Sequence, residues 1–563
     1  MKKLKLFLLL FALVGLFSCK NEKKEDTSKK TEEAKVEKAA TGVSLTPAEM
    51  EKAKKIFFNT CAGCHGTTRK GATGPSLLPD GDGKFPATKD LGTEAIKSII
   101  TNGMPGGMPD WGKQGILSPQ EVELMAKFVQ LPPPPVPKYE MDDVMKSWKL
   151  IVPVKDRVTK PMTKRNWRNY FGVVLRDAGQ VAIIDGDTKE KVAILNTGFA
   201  VHILRTSVSG RYFFSIGRDG KVTLIDLWPE TPQIVAEAKA SFDARSVEVS
   251  KYHGPKGDFR DKYIIVGGYT PSHYVVFDAM TLKPLKLVKT DGKVLGKGEY
   301  RDEARVASIV ASHHDPLWVV NVKETGMVWL VDYSDLDKID ENTAKIPTAQ
   351  FLHDGGWDHT GKYFLVAANA VNKIVVIDVP NKKLVTIIDV GTKPHPGRGA
   401  NIHNKKYGWL WVTGHIGEGK LAFIATDPGP NQWKVVHNIV MEGGGGGNLF
   451  VKTHPKSKHL WADRALSTQE DLQRSIFVYD INTFKLLKTL HVPDKYKGRA
   501  VHMEYNKNGN EVWVSVWGKK NETTSAVLIY DDKTLKLKQA IEGDWLITPT
   551  GKFNVYNTAH DIY

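Results

Sequence analysis

Eight copies of one local pattern run through most of this chain. In each copy a segment rich in β-branched and aromatic residues ends on an aspartate, and a polar turn and another strand-like segment follow. The aspartates are Asp185, Asp226, Asp278, Asp332, Asp378, Asp427, Asp480 and Asp531. Neighbouring aspartates are 41 to 54 residues apart, the spacing of propeller blades built from four strands each. The repeat predicts an all-β eight-bladed propeller, with a solenoid as the alternative.

A haem-attachment motif precedes the repeats. Cys61-Ala62-Gly63-Cys64-His65 has the C-x-x-C-H spacing in which two thiols bind a haem covalently and the histidine ligates its iron. A zinc site would need further cysteine or histidine ligands nearby, and the sequence has none there. The motif therefore predicts one haem c, held by Cys61 and Cys64, with His65 as the proximal iron ligand.

Helix-start signals lie on both sides of this motif. Thr46 and Ser118 each precede a proline and stand three residues before a glutamate, as helix N-caps do. They predict a small all-α cytochrome c domain over residues 44–131. The proline run 132–135 then predicts a stiff spacer within a linker of residues 132–145. Residues 146–563 form the predicted propeller, whose central channel can hold a large planar ligand.

Excluding histidine narrows the candidates for the distal ligand of haem c to methionines. Apart from His65, the chain has no histidine before His202, so a methionine is expected. Met125 fits the apolar stripe of a helix, whereas Met104 and Met108 lie in a loop rich in glycine and proline. A methionine ligand raises the potential of the haem, as electron transfer requires.

The N-terminus predicts export. Three lysines precede an apolar run over residues 6–17, which is too short to span a bilayer and is typical of a signal peptide. Cys19 follows the small residue Ser18, as at a bacterial lipoprotein cleavage site, so residues 1–19 are interpreted as a lipoprotein signal peptide. Ordinary secretory cleavage nearby is the alternative. Residues 20–43 are polar and predict a flexible tether that holds the protein near a membrane.

The net charge also limits the partners. The 563 residues carry a formal charge of +16, and the tether nearly balances its own charges. An exported protein without a basic cluster or binding motif is a poor candidate for nucleic-acid binding. The charge instead favours anionic substrates, acidic cofactor groups or acidic redox partners.

Several long motifs are family-specific. An exported haem c domain joined to an eight-bladed propeller resembles the cytochrome cd1 nitrite reductases, and the likeness runs from the cytochrome domain to Tyr563. The closely matching stretches are residues 107–112, 175–180, 200–203, 216–221, 351–356, 394–399 and 548–556.

This resemblance implies a dissimilatory nitrite reductase, an oxidoreductase in which electrons enter through haem c and nitrite is reduced to nitric oxide at haem d1. It implies that Met108 is the distal ligand of haem c and that His202 binds the iron of a noncovalent haem d1. His353 and His395 resemble the pair above the other face of that haem. The reaction consumes protons, and histidine can be charged near neutral pH.

The resemblance also implies the lining of haem d1. Arginine can meet the several carboxylates of that haem in bidentate fashion. The residues that match the family lining are Arg176, Arg218, Arg245, Ser246, Tyr269, Arg398, Thr550, Gly551 and Phe553. The implied setting is the periplasm, with a c-type cytochrome or a cupredoxin as electron donor and a homodimer as the assembly.

Two departures from the family accompany the match. Family members bring an N-terminal tyrosine over the haem d1 iron, yet this chain has no tyrosine before Tyr139. The predicted lipid anchor at Cys19 also differs from a family better known as soluble. Two other functions stay open: the dehydrogenase that completes haem d1 synthesis, and a non-catalytic electron carrier. Retention of both His353 and His395 favours the reductase.

Overall fold

The computed structural model describes residues 42–71, 74–83, 85–104, 108–133, 135–518 and 524–562. Cys19, the predicted signal peptide and nearly all of the predicted tether lie outside the described residues. None of the helices in the described ranges is long and apolar enough to cross a membrane.

The N-terminal unit is helical, as predicted. It contains α1 (Pro47–Ile56), a π-helical turn (Phe57–Cys61), α2 (Ala62–His65), α3 (Thr88–Asn102) and α4 (Pro119–Phe128). Both predicted caps form: the hydroxyl oxygens of Thr46 and Ser118 each accept a hydrogen bond from the backbone N–H three residues on, and that residue's carboxylate accepts from the backbone of the cap. The buried faces of α1, α3 and α4 meet in one core that includes Met125.

Part of the segment after the proline run packs on the propeller. Helix α5 (Met141–Ser147) buries Val144, and Tyr139 is buried beside it in a core shared with the second and third blades. The Tyr139 hydroxyl donates to the carbonyl of Lys239 at 3.0 Å, so this tyrosine is held away from the propeller axis. The short strand Lys149–Leu150 then extends the second blade.

Eight antiparallel sheets form the propeller, which confirms the predicted blade number. From the innermost strand outward, blade 1 contains Pro549–Asn554, Phe171–Leu175, Gln180–Ile184 and Lys191–Asn196; blade 2 Ile203–Thr206, Tyr212–Ile216, Lys221–Asp226 and Gln233–Lys239; blade 3 Asp243–Val249, Tyr263–Thr270, His273–Asp278 and Pro284–Lys289; blade 4 Val306–Ala311, Leu317–Val322, Met327–Asp332 and Ala344–Pro347.

The second half of the ring repeats this order. Blade 5 contains Leu352–Trp357, Tyr363–Ala368, Lys373–Asp378 and Lys383–Asp389; blade 6 Pro394–Asn404, Gly408–His415, Lys420–Ala425 and Val435–Val440; blade 7 Val451–Lys452, His459–Asp463, Ser475–Asp480 and Leu486–His491; blade 8 Arg499–Tyr505, Glu511–Trp517, Ala526–Asp531 and Leu537–Ile541. Three short helices interrupt or follow the blades. Helix α6 (Ile339–Asn342) precedes the last strand of blade 4, α7 (Glu470–Gln473) precedes the third strand of blade 7, and α8 (Val555–Ala559) follows the strand Pro549–Asn554.

The repeated aspartates have a structural cause. They lie at or just after the end of the third strand of each blade, where the chain turns into the fourth. The carboxylate of Asp278 accepts a hydrogen bond from the backbone N–H of Thr281, and Asp480 and Asp531 bind the same position of their own turns, at 2.7–2.8 Å. Asp427 differs, because it accepts from Trp409 on a neighbouring strand. Aspartate fixes such turns because its short side chain can replace a backbone acceptor.

Blade 1 closes the ring. Its innermost strand, Pro549–Asn554, comes from the end of the described chain and pairs antiparallel with Phe171–Leu175 from the start of the propeller. Phe171 also stacks on Trp513 of blade 8, with ring centroids 3.8 Å apart. The two ends of the propeller sequence are thus joined by a backbone ladder and by aromatic packing between the first and last blades.

A buried ion cluster fastens the segment after α8 to the propeller. The ammonium group of Lys251 lies 2.7 Å from Asp561 and 3.7 Å from Glu248, and the imidazole of His313 lies 2.7 Å from Asp561. Lys251 is almost fully buried. Removing one partner of a buried pair is costly because it leaves the other charge uncompensated.

We therefore expect Asp561→Asn to destabilise the propeller by about 3 kcal/mol. The measurement is the shift in the denaturant midpoint, followed by circular dichroism. Asp544→Asn is the matched control, because Asp544 is exposed and its loss should leave the midpoint unchanged. Equal midpoints for the two variants would show that the cluster is not stabilising.

Candidate active site

A cavity of about 380 Å³ lies on the propeller axis. Residues from the innermost strands of all eight blades, or beside them, line it. They include the predicted site residues Arg176, His202, Arg245, Ser246, Tyr269, His353, His395, Arg398, Thr550, Gly551 and Phe553. The propeller therefore brings together residues that are up to 377 positions apart in the sequence.

β-Bulges in the innermost strands orient several of these side chains toward the cavity. In a regular strand, successive side chains point to opposite faces, and a bulge breaks that alternation. In blade 5, Leu352 pairs with Ala368 and Gly355 with Val366, so that His353 and Asp354 together face one partner residue. Similar irregularities interrupt blade 6 after His395, blade 8 between Val501 and Met503, and blade 1 beside Thr550 and Gly551. Neighbouring residues can therefore face the cavity together.

The two predicted catalytic histidines meet at the cavity wall. The ring centroids of His353 and His395 are 5.1 Å apart. Asp354 lies between them: its carboxylate is 3.1 Å from His353 Nδ1 and 3.4 Å from His395 Nε2. The first contact is close enough for an ion pair but is not aligned as a hydrogen bond. Burial, partly offset by Asp354, lowers the pKa of His353 to about 4.

His202 has the character of an iron ligand. It stands just before the innermost strand of blade 2, and its backbone N–H donates to the carbonyl of Ile216 at 2.9 Å. Its side chain is open to the cavity, and its ring makes no hydrogen bond within the ranges that the structure describes. Burial within the protein, with the charges of Arg245 and Arg218, holds the pKa of His202 well below its usual value. A neutral imidazole with a free nitrogen can ligate a metal.

The arginines divide into two groups. Arg176, Arg245 and Arg398 line the cavity, where guanidinium groups can meet the carboxylates of a bound ligand. Arg218 is not among the lining residues. Its guanidinium forms a two-pronged ion pair with Asp243, with contacts of 3.3 and 2.8 Å, and its carbon centre lies 4.4 Å from the ring of Phe58. Its position therefore supports the neighbouring Arg245 and the cytochrome domain.

Several lining residues were not expected from the sequence. Asp354 belongs to a quoted matching stretch, and its place beside His353 was the available signal. The others are Arg205, Lys452, His502 and Glu504, which had no signal in the repeat. Glu248 contacts both Arg205 and Arg398 at 3.3 Å, and Lys452 lies 3.2 Å from Glu504. The cavity wall is thus built from paired charges with an excess of cations.

The predicted ligands of haem c lie in the helical N-terminal unit. His65 is buried, and its Nδ1 donates to the carbonyl of Pro75 at 2.8 Å, which leaves Nε2 available to iron. Met108 and Cys61 both pack against the cytochrome core, whereas Met104 is half exposed and Met125 is fully buried in the core. These environments favour Met108 as the distal ligand. The arrangement fits a haem c.

The haem-attachment loop lies on the propeller next to the axial cavity. A methyl group placed at Gly63 would be 3.5 Å from the guanidinium of Arg245, which lines that cavity. The Ala62 carbonyl accepts a hydrogen bond from Arg305 at 3.1 Å. Arg305 is fully buried and forms an ion pair with Glu324. One side chain, Arg245, therefore contacts the surroundings of both predicted haems.

A carboxylate from the propeller fastens the same loop. The Glu303 carboxylate accepts hydrogen bonds from the backbone N–H groups of Thr67 at 2.7 Å and Thr68 at 3.2 Å, and from both of their hydroxyl groups. The Thr67 hydroxyl also lies 2.7 Å from that of Thr270. These contacts fix the cytochrome domain over the mouth of the cavity.

Comparisons with known proteins agree with both halves of this architecture. The family described as "Cytochrome D1 heme domain" matches residues 165–558, and "Cytochrome C oxidase, cbb3-type, subunit III" matches residues 48–129. A nitrite reductase from Stutzerimonas stutzeri is 48% identical over 547 residues, covering 93% of this chain and 96% of its own. A dihydro-heme d1 dehydrogenase from Pseudomonas aeruginosa is 26% identical and covers 91% of this chain and 95% of its own.

A solved structure has the same overall fold. The structure of a dihydro-heme d1 dehydrogenase in complex with DHE superposes with a TM-score of 0.66 at 25% identity, covering 90% of this chain and 99% of that chain. A cytochrome c domain docked on a propeller with a histidine-lined axial cavity defines a two-haem oxidoreductase. More particularly, the chain belongs to the cytochrome cd1 nitrite reductase family, whose cofactors are haem c and haem d1.

The contacts of Glu303 predict a test of domain docking. Hydrogen bonds to a charged group contribute about 1.5–3 kcal/mol each, so Glu303→Ala should weaken docking by about 2 kcal/mol or more. Electron transfer between the haems, followed after rapid reduction, should slow, and proteolysis within the linker should speed up. Glu299→Ala is the control, because Glu299 is half exposed and pairs only locally with Arg301. Unchanged transfer in the Glu303 variant would contradict this role.

Proposed function

We propose that this chain reduces nitrite to nitric oxide, with electrons entering through haem c and passing to haem d1 in the axial cavity. The observation that carries the proposal is the pair His353 and His395, which line one cavity with His202. Arg245, which lines the same cavity, lies beside the haem-attachment loop. The 48% identity to a nitrite reductase over most of both chains supports the same reaction.

The reaction sets what the residues must do. Nitrite, one electron and two protons give nitric oxide and water, so each turnover needs a positioned source of protons. The pair His353 and His395 supplies these protons, because an unperturbed imidazole exchanges protons near neutral pH. His353, whose pKa burial lowers to about 4, takes part as the neutral member of the pair. The cationic side chains Arg176, Arg245 and Arg398 raise the local concentration of an anionic substrate. Both tasks are performed at the same cavity wall.

The haems have assigned ligands in this proposal. Cys61 and Cys64 hold haem c covalently, and His65 and Met108 are its axial ligands. His202 is the protein ligand of haem d1, and the lining arginines bind the carboxylates of that haem. When bound, haem d1 supplies the iron that takes up nitrite and transfers the electron. Arg218 acts indirectly, because its ion pair with Asp243 holds the neighbourhood of Arg245.

The setting is proposed from the sequence. The chain is exported to the periplasm, carries a lipid on Cys19 and works as a homodimer. Its electron donor is a c-type cytochrome or a cupredoxin. The exposed side chain of Met104, whose backbone pairs with Met108, supports an apolar contact for such a donor near haem c.

The second candidate is oxidation of dihydro-haem d1, the reaction that the name of the Pseudomonas aeruginosa relative suggests. The identity to that relative is 26%, against 48% for the nitrite reductase. Anaerobic turnover of nitrite by the purified protein, with an artificial electron donor, distinguishes the two. Formation of nitric oxide supports the reductase, and its absence from fully loaded protein contradicts it.

Variants should separate electron entry from proton supply. Met108→Ala removes a haem c ligand, so it should change the haem c spectrum and slow electron delivery while the nitrite pocket stays intact. His353→Ala and His395→Ala should lower nitrite turnover by about 100-fold to 10,000-fold, with electron transfer between the haems preserved. In the measurement, each variant is reduced and rapidly mixed with nitrite, and the oxidation of haem c and of haem d1 is followed by absorption. Wild-type turnover by the histidine variants would show that the active-site assignment is wrong.

The cofactor assignment has a chemical test. Cys61 and Cys64 can hold only one macrocycle, so acidified organic solvent should extract one haem and leave the other bound to protein. Haem content is measured before and after extraction. A protein that holds a single haem, or that releases none, would contradict the assignment.

The anchor at Cys19 is tested by fractionation. The wild-type protein should be found with membranes and should carry a lipid that mass spectrometry detects. Cys19→Ala should release a soluble protein with both haems, because Cys19 is remote in sequence from the haem-binding residues. A wild-type protein that is already soluble and carries no lipid would refute the anchor.

A further inference from the structure

Asp354 is the acidic residue placed between the two histidines. It lies in the bulge of blade 5, and its side chain is largely buried. One of its oxygens faces His353 Nδ1 at 3.1 Å, and the other faces His395 Nε2 at 3.4 Å. A buried carboxylate that meets two imidazoles at once holds the negative charge nearest to the proton donors.

The contacts of His395 define its protonation. Its Nδ1 lies 2.8 Å from the carbonyl oxygen of Leu449. A carbonyl can only accept, so Nδ1 carries a proton. Its Nε2 faces the Asp354 carboxylate, which also only accepts. Both ring nitrogens of His395 therefore face acceptors, an arrangement that is favourable only for the doubly protonated, positively charged ring.

His353 has a different environment. Only its Nδ1 faces Asp354, in a contact that is not aligned as a hydrogen bond, so a neutral ring is compatible with this position. Burial and the charge of Lys323 oppose a positive charge on this ring, while Asp354 favours it. The two histidines are thus inequivalent, and the same carboxylate orients both.

We infer that Asp354 is a positioning residue that keeps His395 in its charged form and orients the Nδ1 edge of His353, so that His395 is the residue that both attracts nitrite and donates to it. This inference deepens the proposed nitrite reduction and rests on it.

The proton balance follows from these contacts. The proton available for transfer is on Nε2 of His395, because the proton on Nδ1 is held by Leu449. After donation, the lone pair of Nε2 would face the Asp354 carboxylate, which is unfavourable, so His395 takes up another proton from solvent. Two such donations with one electron convert nitrite to nitric oxide and water.

Other ionisable groups face this cluster and must be included in any account of its pH dependence. The negative charge of Asp354 is stabilised by His353 and His395, which hold its pKa well below the usual range. The remaining groups are Lys323 toward His353, Asp463 toward His395 and His202 toward Asp354. Burial raises the pKa of Asp463 to about 6, so its charge also changes in the working range.

The test is Asp354→Asn in the protein that carries both haems. A nearby opposite charge raises a histidine pKa by about 1–3 units. Removing the charge that faces both imidazoles should therefore move the alkaline limb of nitrite turnover down by about 1–3 pH units. Nitrite binding, measured by the change in haem absorption, should show the same displacement without any need for turnover.

Asp358→Asn is the matched control. Asp358 is a buried aspartate just after the same strand, accepts hydrogen bonds from Thr360 and Tyr363, and lies 3.7 Å from the adjacent His359. It is not among the cavity-lining residues, so its loss should leave the pH profile unchanged. Haem content and the thermal midpoint are measured for both variants.

The outcomes are distinct. A wild-type pH profile in Asp354→Asn, or a uniform loss at all pH values, would overturn the inference, because a merely structural residue would not move the profile. If wild-type protein binds nitrite without reducing it, the proposed function fails, and the binding profile still decides the role of Asp354. If it neither binds nor reduces nitrite, both fail.

Discussion

Closure of the ring by blade 1 is the interaction on which the rest of the structure depends. The strand Pro549–Asn554 pairs with Phe171–Leu175, so the first and last parts of the propeller sequence share one sheet. The cavity exists only inside the closed ring, and Thr550, Gly551 and Phe553 of the closing strand are part of its wall. Formation of the site is therefore coupled to completion of the fold, and contacts of high sequence separation determine both.

Much of the fold could be predicted because its signals are local. Asx turns favour an aspartate at one position in seven of the eight blades, and covalent haem attachment requires a fixed cysteine spacing. The site is different, since strand alternation places His353 and Asp354 on opposite faces, whereas the bulge in blade 5 brings both to the cavity. Only resemblance to a family selected His353 and His395. The one signal for Asp354 was its place beside His353 in a matching stretch, and nothing local selected Glu303. Arg218 also matches a family position, yet its ion pair places it behind the wall.

Buried charge is the second constraint. Arg305, Arg218 and Glu248 are buried, and each has a partner of opposite sign, because an unpaired charge in the interior would be costly. Arg305 and Arg218 form their pairs in a shell outside the cavity lining, and Glu248 supports the lining residue Arg398 from behind. These ion pairs hold the cationic side chains that face the cavity in fixed positions. Their net contribution to the stability of the fold is small, because the cost of burying each charge offsets the attraction.

The same electrostatics join the two domains. The Asp243 carboxylate accepts two hydrogen bonds from the guanidinium of Arg218, at 2.8 and 3.3 Å. It also lies 3.9 Å from the guanidinium of Arg245. The weaker contact leaves the charge of Arg245 only partly compensated, between the haem-attachment loop and the cavity. Lys323, whose pKa burial and Arg305 lower to about 7, lies in the same region. Positive charge there stabilises both an arriving electron and an anionic substrate, so one buried region serves electron entry and substrate attraction.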